Sequence, residues 1–176
     1  TLPWPRLYEH PHSVGAITID RLDDHGNRRL IWVRIVSPET KSLSELQSIL
    51  EHARTASVQE VFADGLRLER LPRLLRMLPW WAMMRWHGRQ RAKRLGTFTL
   101  STLAGLDASN RNHPLVTTAR LSYTRLDDQG RCTLTMIADH RVLDGVTVAK
   151  TLTRLEQILN QDIATKLIQL NHSLGS

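Results

Sequence analysis

The run Leu-Asp-Asp-x-Gly occurs twice, at 22–26 and at 126–130, and each copy lies between two stretches of strand-like sequence. Aspartate and glycine accept the backbone angles of a tight turn, so each run predicts an antiparallel hairpin. The first joins an alternating stretch, 14–22, to a returning strand, 28–36. The second joins 120–126 to 131–138. Two hairpins place a sheet at the centre of any fold this chain adopts, and nothing else in the sequence repeats.

The remaining periodicities are helical. Ser42 with Glu45 has the pattern of a capping box ahead of a helix over 43–54. Residues 145–159 form the clearest helix, with Val146, Ala149, Leu152, Leu155, Ile158 and Leu159 on one apolar face, and 162–172 extends it as a terminal helix. Residues 1–13, with Pro3, Trp4, Pro5, His10, Pro11 and His12, read as an irregular lead-in. The segment 105–114, with Asp107, Ser109, Asn110 and Asn112, reads as a loop, with His113-Pro114 as a turn. At 176 residues the chain reads as a single domain, 1–176, and its element order suits an α+β layer of sheet and helices.

One cysteine, Cys132, excludes an intrachain disulfide framework and suits a reducing compartment. Its place in a strand-like run predicts a small buried side chain. No apolar stretch approaches the roughly 20 residues needed to span a bilayer. With no initiator methionine and no signal-peptide pattern, the chain reads as a cytoplasmic protein trimmed from something longer. His10-x-His12 lacks a third ligand at suitable spacing, so no metal site is expected.

The net charge of +7 is unevenly placed. Residues 67–94 hold nine Lys or Arg and one acid, Glu69; the rest of the chain is close to neutral. Within this basic segment Leu71, Leu74, Leu75, Leu78, Trp81 and Ala82 recur at helical spacing. Trp80, Met77, Met84 and Trp86 cover other sides, Pro79 is expected to break or kink the helix, and Arg85, Arg89, Arg91, Lys93 and Arg94 follow. Such a segment suits either a helix packed on its own domain or on a subunit, or a helix lying peripherally on an anionic membrane surface. No nucleic-acid-binding pattern accompanies it.

The chemistry concentrates in Asp139-His140-Arg141-Val142-Leu143-Asp144-Gly145. This run ends an apolar stretch and opens a helix, where an imidazole can reach a cleft and act as a general base. Asp144 can hold the turn by bonding backbone amides or pairing with an arginine, and Gly145 permits backbone angles closed to other residues.

These seven residues resemble the active-site motif of dihydrolipoamide acyltransferases, the catalytic domains of 2-oxoacid dehydrogenase complexes, which share the chloramphenicol acetyltransferase fold. Thr97-Phe98-Thr99-Leu100-Ser101 resembles the family strand that carries an oxyanion-stabilising serine. Thr40-Lys41-Ser42-Leu43-Ser44-Glu45-Leu46 resembles its Ser-Leu-x-Glu-Leu helix start. With gaps, 14–160 can be matched, and only 139–145 is specific. The resemblance implies an incomplete, stand-alone acyltransferase-like domain that starts partway into the family fold. It implies a coenzyme A thioester as substrate, in preference to a lipoyl group, an unidentified acceptor and no metal. It implies His140 as base, Ser101 as oxyanion donor and Asp144 as loop anchor, with Asp139, Arg141 and Gly145 in support. In the family the site lies between subunits, so a homotrimer is expected. The spacing of 39 residues from Ser101 to His140 is shorter than in the family. The rival readings are a non-catalytic assembly domain and a membrane-docking protein acting through 71–94.

Overall fold

The computed structural model describes residues 7–86, 88–101 and 115–174, the side chains of 83–86 and 170–174 excepted. Both hairpins form, and the same turn chemistry makes each. Asp23 Oδ1 accepts the His25 and Asn27 amides, and Asp127 Oδ1 accepts the Gln129 and Arg131 amides. Gly26 and Gly130 take φ of 78° and 73°, the left-handed region that a side chain penalises.

The first hairpin is β1 (Val14–Leu22) with β2 (Arg28–Val36), paired antiparallel throughout. β3 (Phe98–Leu100) pairs parallel to β1, and β4 (Ala119–Tyr123) pairs parallel to β3. β5 (Leu134–Ala138) returns antiparallel to β4. The result is one mixed sheet of order β2-β1-β3-β4-β5, with helices on it: an α+β architecture. The second hairpin is paired as strand over a shorter length than the sequence suggests. Cys132 is therefore outside β5 and exposed, correcting the expectation of a buried thiol.

α1 (Leu43–Thr55) begins with a complete capping box. The Ser42 hydroxyl accepts the Glu45 amide at 3.2 Å, and the Glu45 carboxylate accepts the Ser42 amide at 2.7 Å. The short helices α2 (Val58–Val61) and α3 (Ala63–Glu69) follow. Together these three cover one face of the first hairpin. Ile31 is fully buried there beside Val33, Ala53 and Val58, with Ile19, Ile49, Val61, Phe62 and Leu66 packed around them.

α4 (Arg73–Trp86) runs uninterrupted through Pro79, so the expected break does not occur. α5 (Gly88–Leu95) leads into β3 through Gly96, where φ is 92° and an added Cβ would lie 2.8 Å from the Val14 carbonyl oxygen. After β5, α6 (Gly145–Gln157), a π-helical stretch (Ile158–Ile163) and α7 (Ala164–Leu174) form one continuous helix. The expected loop at 105–114 and most of the lead-in, 1–6, lie outside the described residues.

Burial is one-sided. The apolar core belongs to β1, β2 and α1–α3. Among the described residues of β4, β5 and α6, none is buried.

Candidate active site

The seven-residue motif forms the junction between β5 and α6. The strand register carries Asp139 one step beyond the sheet, where its amide donates to the Thr118 carbonyl at 2.9 Å. The chain then turns back on itself: the Val142 and Leu143 amides donate to the Asp139 carbonyl at 2.8 and 2.9 Å. His140 occupies the outer position of this turn and is exposed.

The charged neighbours divide their work. Arg141 pairs with Asp139, donating to both carboxylate oxygens at 2.8 and 2.6 Å, while its amide donates to the same carboxylate at 3.1 Å. Asp144 pairs with no arginine among the described residues. It caps α6, accepting the Thr147 amide at 2.7 Å, and this bond holds its carboxyl below the ordinary value. A charge-assisted cap also complements the helix dipole. His140 is thus held by a turn with a carboxylate–guanidinium clasp before it and a helix cap after it. Gly145 is the first residue of α6. It does not take positive φ, and an added Cβ would meet nothing within 4 Å, so a single chain gives no steric reason for glycine there.

The Asp139 carboxyl is held at about 2, chiefly by the hydrogen bonds from Arg141, with Arg91 of α5 adding its field. A carboxyl lowered in the fold stabilises it above the ordinary value near 4, and that contribution fades as pH falls towards about 2. Arg141→Gln should therefore cost about 1 kcal/mol at neutral pH, reduced by the solvent around this exposed guanidinium, and nothing below about pH 2. Urea denaturation across pH 2–7 measures this. Parallel curves for the two proteins over the whole range would contradict it.

Ser101 stands just beyond the end of β3, its amide donating to the Leu121 carbonyl at 3.0 Å. The residue is half-buried, and its hydroxyl has no hydrogen-bond partner among the described residues. The register separates it from the histidine. Ser101 continues the β3–β4 ladder to a place opposite Ser122, whereas His140 continues the β5 ladder to a place opposite Thr117. At about 3.3 Å per residue along a strand and about 4.8 Å between strands, the two lie roughly 15–20 Å apart in one chain. One chain does not bring base and donor together. A cleft of about 270 Å³ lies elsewhere, beside the first turn, lined by Asp23, His25, Arg29, Val58, Glu69 and Arg70.

The other residues singled out in the sequence fall into two groups. Trp80, Trp81, Arg89, Lys93 and Arg94 are on exposed parts of α4 and α5, and Arg91 is half-buried near Asp139. The side chains of Arg85 and Trp86 lie outside the described residues. No group of three metal-ligating side chains occurs among the described residues. Sequence reasoning missed the Asp139–Arg141 clasp, assigning the arginine to Asp144 or to the surface; alternating charges two apart at a turn were the available signal.

The mixed five-stranded sheet, with a histidine turn between its last strand and a long helix, gives the chain an α+β fold shared with dihydrolipoamide acetyltransferase structures. The cubic core of the pyruvate dehydrogenase multienzyme complex is similar, with a TM-score of 0.55 and 19% identity, over 88% of this chain and 56% of that one. A dihydrolipoamide acetyltransferase from Azotobacter vinelandii is similar at a TM-score of 0.51 and 19% identity, with the same coverage. That enzyme was studied for the catalytic roles of a serine, a histidine and an asparagine four residues beyond the histidine. The chain spans little more than half the length of these structures. No family model and no curated protein matches the sequence. At this identity the likeness establishes the fold. In this chain the position four residues beyond His140 is Asp144, and asparagine and aspartate serve equally well as helix caps.

Proposed function

We propose that this domain transfers an acyl group between a coenzyme A-type thioester and a second nucleophile, at a site completed by two copies of the chain. The observation that carries the proposal is the motif's placement: His140 is exposed at the turn between β5 and α6 in a fold shared with dihydrolipoamide acetyltransferase cores. The imidazole takes the proton of the acceptor nucleophile, which attacks the thioester carbonyl. The tetrahedral oxyanion accepts a hydrogen bond from the Ser101 hydroxyl of the neighbouring copy. Collapse expels the coenzyme A thiolate, which takes the proton back from the imidazolium. Run backwards, the same steps let coenzyme A be the attacking thiol.

Three features support assembly. His140 and Ser101 lie too far apart in one chain to share a substrate. Among the described residues the Ser101 hydroxyl has no hydrogen-bond partner, and an added Cβ at Gly145 would meet nothing within 4 Å. Among the described residues of β4, β5 and α6, none is buried. A homotrimer is the assembly proposed. A non-catalytic assembly domain is the rival reading, and the exposure of His140 in a single chain is compatible with it.

The experiment combines sedimentation equilibrium of the full chain at micromolar concentration with thiol release from acetyl-coenzyme A and a longer acyl-coenzyme A. Thiol, hydroxyl and amine acceptors form the panel. A trimer that turns over at least one pair is expected. A monomer excludes the shared site, and a trimer that binds no acyl-coenzyme A supports the assembly reading instead.

A further inference from the structure

α4 wears its apolar side outwards. Around a helix of 3.6 residues per turn, Met77, Trp81, Leu74, Leu78 and Leu75 occupy one contiguous arc. An amphipathic helix of a self-contained domain buries such an arc. Here the residue near its middle, Leu74, is 79% exposed, and Leu78, Met77 and Leu75 are each more than half exposed. Among the described side chains of the helix the half-buried ones are Arg76, off the arc, and Ala82, between Leu78 and Leu75. Leu74, Leu75, Met77 and Leu78 are thus not buried against the described part of the domain.

What covers the arc must also match its charge. Arg70, Arg73, Arg76, Arg89, Lys93 and Arg94 have no carboxylate partner among the described residues. A second copy of the chain offers no acidic excess, because the residues outside 67–94 are close to neutral overall. A nucleic acid would answer the cations and leave the leucines in water. An anionic phospholipid surface answers both: headgroups take the arginines, and the acyl boundary takes Leu74, Leu75, Leu78 and Met77. Trp80, also exposed, has the amphipathic ring that favours the headgroup level. No helix among the described residues is long and apolar enough to cross a membrane, so the contact is peripheral.

We infer that α4 lies in the surface of an anionic membrane, its leucine arc inserted and the basic side chains of α4 and α5 on the headgroups. The test is flotation of the full chain with vesicles of phosphatidylcholine alone and of phosphatidylcholine with about a third phosphatidylglycerol. Binding to the anionic vesicles should exceed binding to the neutral ones by at least about tenfold and weaken in 0.5 M salt, since each basic group near such a surface contributes about fivefold. The double variant Leu74→Glu/Leu78→Glu should lose at least about tenfold in binding, with its circular dichroism unchanged because both side chains are already in solvent. Equal binding to both vesicle types overturns the inference. So does anionic binding that survives the double variant, which would be charge attraction without insertion. A double variant that instead changes the oligomeric mass, while the parent chain ignores vesicles, assigns the arc to a second copy.

Discussion

His140→Ala should lower the rate of acyl transfer by about 10²–10⁴-fold, the usual range for loss of a positioned general base. The fold should survive the change. The imidazole is exposed, and the turn that carries it rests on other groups: the Asp139 amide and carbonyl, the Asp139–Arg141 clasp and the Asp144 cap. Thermal melting of the variant should therefore match the parent while thiol release from acyl-coenzyme A collapses. Because the substitution removes the proton acceptor and little surface, the defect should appear in kcat more than in KM. A variant with full activity would remove His140 from the reaction.

Ser101→Ala should lower the rate by about 10²–10³-fold through a different step. The hydroxyl is proposed to donate to the oxyanion, a charge that exists only as the carbonyl is attacked. Its removal should spare acyl-coenzyme A affinity and reduce kcat and kcat/KM together. The backbone should not respond, since the ladder contact here is the Ser101 amide to the Leu121 carbonyl, which alanine keeps. A variant that raises KM at constant kcat would make Ser101 a ground-state binding residue and leave the oxyanion without its donor.

The sheet and the histidine turn were legible in the sequence because they rest on local chemistry. Asp23 and Asp127 make the same amide bonds within a few residues, so the repeated run marks both hairpins. Ser42 and Glu45 satisfy each other across one helical turn, and the capping box marks the start of α1 for the same reason. Tertiary placement was less legible. Cys132 lies in an apolar alternating run, but that end of the second hairpin has left the strand pairing and the thiol is exposed. Pro79 lies inside a helix that carries on past it. The spacing of leucines in α4 shows an apolar arc and cannot show which way it faces. Gly145 illustrates the same limit: composition suggests a strained backbone, whereas the structure places it in an ordinary helical first turn with empty space beside it. The separation of Ser101 from His140 follows from strand register across β3, β4 and β5, which no local motif encodes.

Intersubunit complementation tests the shared site most directly. His140→Ala and Ser101→Ala copies, each inactive alone, are dissociated, mixed in equal amounts and allowed to reassemble. An interface that receives its histidine from a Ser101→Ala copy and its serine from a His140→Ala copy is intact, and random mixing makes about a quarter of the interfaces so. Acyl transfer should recover to about a quarter of the parent rate. Recovery no greater than the sum of the two separate variants, in assemblies shown by mass spectrometry to be mixed, would contradict a site built from two copies of this chain.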